Sequence, residues 1–370
     1  MDNFILEKVG CFLDNHLNIR SDDLVVILYE VNCREICAFV SVACASRGVS
    51  CTEIPMRPLR DEHFEARLLK GLSDFVGDGL RRLFLITLEL HTLSHSAGIY
   101  RVLGTLGLES TICVRMMSAT PDLFRYAIQT FPKELSYRNS WLLKKLVAAG
   151  EIELRSPAGT HMKVVLDSSR YRWISSRGAA SKGGDMIFPG GEIATFPDSI
   201  EGIFIADFAL HANQLIDFDV TLERCPVRLK IAEGKVIDIN CKNKIILSFV
   251  EGAFSDNPLA NKVGELGFGT NPGVTTPTKY NSHINERVVG FHLGLGQHNQ
   301  SGLLDYDCRT HIDFIAKGGD VMITSSQESF SMMDIPSIPL THPFGVVDQD
   351  VFSCDDDSSS SSCCGMLGQI

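Results

Sequence analysis

The sequence predicts an α/β protein in two parts. An N-terminal domain of residues 1–150 is expected to be a helix-covered parallel sheet, and a C-terminal α+β domain of residues 151–345 is expected to bind metal. Three observations lead there. Short apolar runs alternate with helical periodicity up to about residue 150, hairpin chemistry with period-two alternation follows, and acids and imidazoles gather among glycines from Glu265 to Asp313.

In the first part, Asp23-Leu24-Val25-Val26-Ile27-Leu28-Tyr29 is a continuous apolar run, as a buried parallel strand requires. Cys33 to Arg47 reads as a helix ending near Gly48, and Cys51 to Ile54 as a second strand. His63 to Leu83 has helical periodicity, and Leu83 to Leu88 is the third strand. Ala97 to Leu108 and Thr111 to Arg115 give a further helix and strand. Residues 120–149 read as helical, opening on Thr120-Pro121-Asp122, a capping residue with proline at the first helical position.

After Gly150 the period becomes two. Glu151-Ile152-Glu153-Leu154-Arg155 turns through Pro157-Ala158-Gly159 into Met162 to Leu166. Arg170 to Asp185, rich in Ser, Gly and cations, is expected to be an exposed loop. Residues 217–249 read as antiparallel strands, with Ala232-Glu233-Gly234-Lys235-Val236 as a hairpin turn. From residue 346 to 370 the chain is rich in Ser, Cys and Asp and poor in large apolar residues, which predicts a disordered tail.

Composition narrows the function. Of 370 residues, 44% are hydrophobic and 21% charged, the balance of a soluble globular chain. A formal net charge of −11, with no basic block, argues against nucleic acid as a partner. The N-terminal residues lack the cations of a secretory signal, and no apolar run reaches membrane-spanning length, so a cytoplasmic protein without a membrane partner is expected. There are 12 cysteines but no Cys-x-x-Cys pair. Cys33, Cys37, Cys44 and Cys51 follow helical spacing and read as buried free thiols. Neither a glycine-rich dinucleotide fingerprint nor a P-loop follows any strand. His91 and His95, four apart after the third strand, stand at a sheet's carboxyl edge and are left outside the site.

The chemistry concentrates in 265–313. Glu265 sits in G-E-L-G-F-G-T-N-P-G, Glu286 and His292 in N-E-R-V-V-G-F-H-L-G-L-G, and His311 and Asp313 in T-H-I-D-F. A strand at His311-Ile312-Asp313 puts the imidazole and the carboxylate on one face and the isoleucine on the other. Charged side chains in apolar surroundings are rarely buried unless paired or bound to metal. Several oxygen ligands beside imidazoles suit zinc, cobalt, manganese or iron.

The run G-G-E-I-A-T-F-P-D-S-I-E-G from Gly190, then N-K-V-G-E-L-G-F-G, E-R-V-V-G-F-H-L-G-L-G, and T-H-I-D-F followed by G-G-D-V, resembles the thermophilic aminopeptidase family, also called the aminopeptidase T or M29 metallopeptidase family. The four motifs agree in order over about residues 185–325. The resemblance implies a dinuclear centre of two divalent ions, a peptide substrate with a free N-terminus, and a homodimer. It implies Glu192, Glu265, His292, His311 and Asp313 as metal ligands, with Glu286 as the acid preceding the motif histidine. Either Glu265 or Asp313 would bridge the ions. Glu192 or Glu265 would move a proton to the leaving amine.

The family's tyrosine after the motif histidine is missing from Gly296-Gln297-His298-Asn299-Gln300, and His298 is the replacement the sequence offers. The 2,5-dihydroxypyridine dioxygenases, with one iron(II) on two histidines and an aspartate, resemble the chain at His311-Ile312-Asp313 and define an alternative. A non-catalytic, metal-retaining binding protein is a third reading.

Overall fold

A computed structural model describes residues 2–58, 60–76, 81–90, 94–179, 185–214, 216–341 and 347–348. His91, and residues 346 and 349–370 of the expected tail, lie outside them.

In the first part the chain runs α1 (Asn3–Cys11), β1 (Leu24–Glu30), α2 (Arg34–Ala45), β2 (Ser50–Met56), α3 (Phe64–Leu72), β3 (Leu83–Glu89), α4 (Ser96–Leu106), β4 (Ile112–Met117), α5 (Pro121–Tyr126) and α6 (Pro132–Leu146). The expected alternation is present. The single helix expected over 120–149 is broken, because Pro132 lacks an N–H and opens a new helix at its first position. Cys33, Cys37 and Cys44 are buried on or beside α2, whereas Cys51 lies on β2; all four are free thiols.

The second part runs β5 (Glu151–Arg155), β6 (His161–Val165), β7 (Ile174–Ser176), β8 (Asp185–Phe188), β9 (Glu192–Thr195), β10 (Ser199–Ala206), β11 (Ala209–Ala212), β12 (Val227–Ala232), β13 (Lys235–Asn240), α7 (Lys244–Asp256), β14 (Val263–Gly269), β15 (Gly290–Gly296), β16 (His311–Lys317), β17 (Asp320–Ile323), β18 (Glu328–Ser331) and β19 (Val347–Asp348). The β12–β13 hairpin turns at Glu233 and Gly234, both at positive φ, as its two-residue loop requires.

Two expectations are corrected here. Lys244–Asp256 is a helix rather than strand: Asn243 accepts from the N–H groups of Ile245 and Ile246, and Ile246, Val250 and Ala253 recur on one buried face. Within the expected exposed loop, Ile174–Ser176 is a strand, with Ser175 and Ser176 buried between β9 and β19.

Among the described residues the strands form three sheets. One is parallel, in the order β2-β1-β3-β4-β8. It takes its last strand from beyond residue 150, so the chain interleaves its two parts there. The others run β13-β12-β10-β6-β5-β17-β18 and β11-β16-β15-β14-β9-β7-β19. Between these two lies one core, with Leu142, Phe204, Phe268, Phe291 and Phe314 among its residues. A second core joins the parallel sheet to Ala209, Ile284, Val288 and Ile315. The sheet ending in β11 is thus covered on both faces. No helix among the described residues is long and apolar enough to cross a membrane.

Candidate metal centre

Strand register builds the site. His211 on β11 stands opposite Asp313 on β16, Asp313 opposite Gly294 on β15, and Gly294 opposite Glu265 on β14. Two residues along, His292 stands opposite Gly267, and two further Glu192 on β9 stands opposite Gly269. Directly opposed residues share a face, as do residues i and i+2. One face therefore carries Glu192, His211, Glu265, His292, His311 and Asp313, separated by glycines, while Leu266, Phe268, Phe291, Leu293, Ile312 and Phe314 fill the core behind.

Glu265 takes that face by alternation with Gly267, and a register shift just before it keeps Val263 in the core. Val263 pairs with Leu295, but Glu265 pairs with Gly294, leaving Gly264 as an extra residue. Without that bulge Val263, two residues from Glu265, would share the ligand face. The glycines make the room. A Cβ on Gly267 would overlap the His292 imidazole, and one on Gly294 would lie 2.7 Å from His311 Cε1 and 2.9 Å from Glu265 Cβ.

The segment 281–289 closes over this face. Asn281 grips β11, accepting from Ala212 N at 2.8 Å and donating to Ala212 O at 2.7 Å. It delivers His283, Glu286 and Arg287, and its backbone passes so near Gly269 that a Cβ there would meet Val288 O. None of the nine residues gathered here is more than 6% exposed.

Two three-residue groups have ligand atoms within 4.8 Å of one another: His211, His283 and Glu286, and Glu192, Glu265 and His292. His311 and Asp313 accompany them. Asp313 Oδ2 is 3.2 Å from His211 Nδ1, and Asp313 Oδ1 is 3.0 Å from His311 Nε2. His311 Nδ1 donates to Gln297 O at 2.9 Å, the arrangement that leaves Nε2 as the ligand atom. His292 Nε2 lies 2.9 Å from Glu192 Oε1 and 3.7 Å from Glu265 Oε1. Arg287 Nη1 pairs with Glu192 Oε2, sits 3.4 Å from Glu286 Oε2, and its Nε donates to Pro189 O at 3.0 Å.

The electrostatics are those of crowded charge without solvent. Burial, reinforced by Asp313, pushes the Glu286 carboxyl well above the usual range. Burial also acts against ionised Asp313, but His311 and His211 overcome it and hold that carboxyl well below its usual range. His311 is raised to about 9 by Asp313 against the opposing effect of burial, and His292 is raised by Glu265 likewise. Burial, then His211, pulls His283 well below the usual imidazole range.

The residues fit a cation. His211 Nε2, both ring nitrogens of His283 and His292 Nδ1 are buried without a hydrogen-bond partner. Four buried carboxylates converge on them, an arrangement that is costly unless charge is paired or coordinated to metal.

All six residues implied as ligands (Glu192, Glu265, Glu286, His292, His311 and Asp313) are on this face or in the segment over it. His298 is not brought in as a donor. Its Nε2 donates to Tyr306 O at 2.9 Å and its Nδ1 accepts from Gln300 N at 3.0 Å, so both nitrogens serve its own loop. His95 is likewise engaged, against Arg57 O and stacked on Phe64. His211, His283 and Arg287 were not anticipated. The available signal for His211 was an imidazole in the apolar run Ala209-Leu210-His211-Ala212.

Comparison with protein-family models returns no match, and comparison with curated protein sequences returns none. Among solved structures the chain is similar to 2,5-dihydroxypyridine dioxygenase from Pseudomonas putida KT2440. Sequence identity is 15%, with 95% of this chain and 98% of that one covered and a TM-score of 0.59. It is also similar to wild-type AmpT from Thermus thermophilus at 13% identity, covering 89% and 97%, with a TM-score of 0.57. These likenesses show a shared α/β fold over nearly the whole chain.

Proposed function

We propose that this chain is a metal-dependent hydrolase of the aminopeptidase kind, removing residues from peptides with a free N-terminus at a centre of two divalent ions, zinc, cobalt or manganese. The observation that carries the reading is the pairing of two three-ligand groups between one sheet face and the segment over it, with Asp313 and His311 on the strand between His211 and His292. AmpT, an aminopeptidase T, shares the fold and supports the reading.

Ions held there would polarise a peptide carbonyl and lower the pKa of water. The remaining work belongs to side chains. Asp313, kept ionised by two imidazoles, would help hold the ions from its place beside His211 and His311. Glu192, held by Arg287 and His292, or Glu265, 3.7 Å from His292 Nε2, would pass a proton to the leaving amine. His298 is bonded within its loop, so the donor missing with the family's tyrosine has no replacement there.

A second reading has its own observation. His211, His283 and Glu286 form a set of two imidazoles and one carboxylate, the donor combination of non-haem iron(II) oxygenases, and a dioxygenase shares the fold.

The test is amino-acid release from matched free-amine and N-acetylated peptides, with and without chelator. Chelator-sensitive cleavage of the free-amine peptides alone supports the hydrolase. Ring opening of a dihydroxypyridine with iron(II), and no peptide cleavage, supports the dioxygenase.

A further inference from the structure

The two ligand groups differ in chemistry and in what already occupies them. The His211, His283, Glu286 group offers two nitrogens and one carboxylate, and the ring nitrogens His211 Nε2, His283 Nδ1 and His283 Nε2 are buried with no hydrogen-bond partner. The Glu192, Glu265, His292 group offers one nitrogen and two carboxylates, and Glu192 Oε2 is already held by the guanidinium of Arg287. That guanidinium is itself fixed: its Nε donates to Pro189 O, and the side chain is fully buried.

We infer that Arg287 makes the two positions inequivalent, so that the centre fills in order: the nitrogen-rich group first, the carboxylate-rich group second and more weakly. The inference rests on the metal-centre reading above. A cation entering beside Glu192 must displace or share the guanidinium and then remain next to its positive charge in a medium that screens poorly. A cation at His211 Nε2 and His283 meets ring nitrogens without a hydrogen-bond partner, His211 Nδ1 being the one paired with Asp313 and Glu286; His292 Nδ1 is unpartnered too, so the difference between the groups lies in the guanidinium. Arg287 lies 3.4 Å from Glu286 Oε2, against its close pairing with Glu192, so its competition falls mainly on the second position. Arg287 is thus a positioning residue that sets occupancy. At low metal supply the centre is mononuclear, and at high supply it is dinuclear.

The test is titration of the metal-free full-length protein with cobalt(II), following visible absorption and bound metal together. The wild type is expected to bind in two phases separated by tenfold or more in Kd. Arg287→Met is expected to tighten the weaker phase by at least tenfold and leave the first in place. Glu192→Gln should remove the weaker phase alone, and His283→Ala should weaken the stronger one. Two equal phases in the wild type overturn the inference while leaving the metal centre intact, as does an unchanged gap in a folded Arg287→Met. Should Arg287→Met not fold, loss of the stronger phase in Glu192→Gln overturns the inference in its place. No uptake of cobalt by the wild type overturns the metal-centre reading itself.

Discussion

His211 Nδ1 lies 3.2 Å from Asp313 Oδ2, and the two residues stand directly opposite each other on adjacent antiparallel strands 102 positions apart in the chain. The imidazole therefore orients the carboxylate that sits between the two ligand groups, while its own Nε2 remains available. His211→Ala is expected to weaken metal binding by about 10- to 100-fold, the effect typical of losing a ligand or its supporting partner. Equilibrium dialysis against zinc checks this, and circular dichroism separates it from misfolding.

Gly267 faces His292 with no room for a side chain. Gly267→Ala is expected to cost about 1–3 kcal/mol of stability and to displace the imidazole, with loss of bound metal. Gly252 is the contrast, since it is exposed on α7 with nothing within 4 Å of an added Cβ. Gly252→Ala is expected to raise stability by about 0.5–1 kcal/mol. Urea melts of both variants, with metal content, measure the pair.

Asn139 on α6 is fully buried and donates to Ser175 Oγ, to Ser176 O and, at 2.9 Å, to Glu192 O. It thereby anchors the backbone that presents Glu192. Asn139→Ala leaves those carbonyls without that donor and is expected to cost about 3 kcal/mol. Chemical denaturation reads the loss, and a weaker hold on metal should accompany it.

Glu30, at the carboxyl end of β1, is buried near Glu89, and burial followed by that neighbouring charge raises its pKa to about 7. A carboxyl whose folded pKa lies above its unfolded value near 4.5 gives a stabilising contribution that is complete below that value. The contribution fades as pH rises from 4.5 through 7. Glu30→Gln, which cannot ionise, is expected to be more stable than the wild type at pH 8, by at most about 3 kcal/mol, and nearly equal to it at pH 4.5. Thermal melts across that range decide the sign.

Much of the fold was legible because its signals are local. The apolar run at Leu24–Glu30 and the hairpin glycine at 234 each declare an element within a few residues. The site was legible where strand alternation shows in a single segment, as in His311-Ile312-Asp313 and in the glycines flanking Leu266 and Phe268. It was not legible where distant strands meet. His211 acquires its role only by pairing β11 with β16, and Arg287 reads as an ordinary cation until the chain folds it over Glu192. The Gly264 bulge that lets Val263 stay in the core while Glu265 faces the ligand side is set by pairing with β15, which no local pattern specifies. His298, offered by the sequence as a donor, has its ring nitrogens bonded to Tyr306 O and Gln300 N, contacts that no local pattern announces.

The most direct measurement is elemental analysis of full-length protein purified without chelator and then incubated with excess zinc, cobalt or manganese before desalting. The expected result is about two divalent ions per chain, lost on substituting His283 together with His292. Protein that folds normally and retains no stoichiometric metal under any of these conditions would contradict the assignment of this buried cluster as a metal centre.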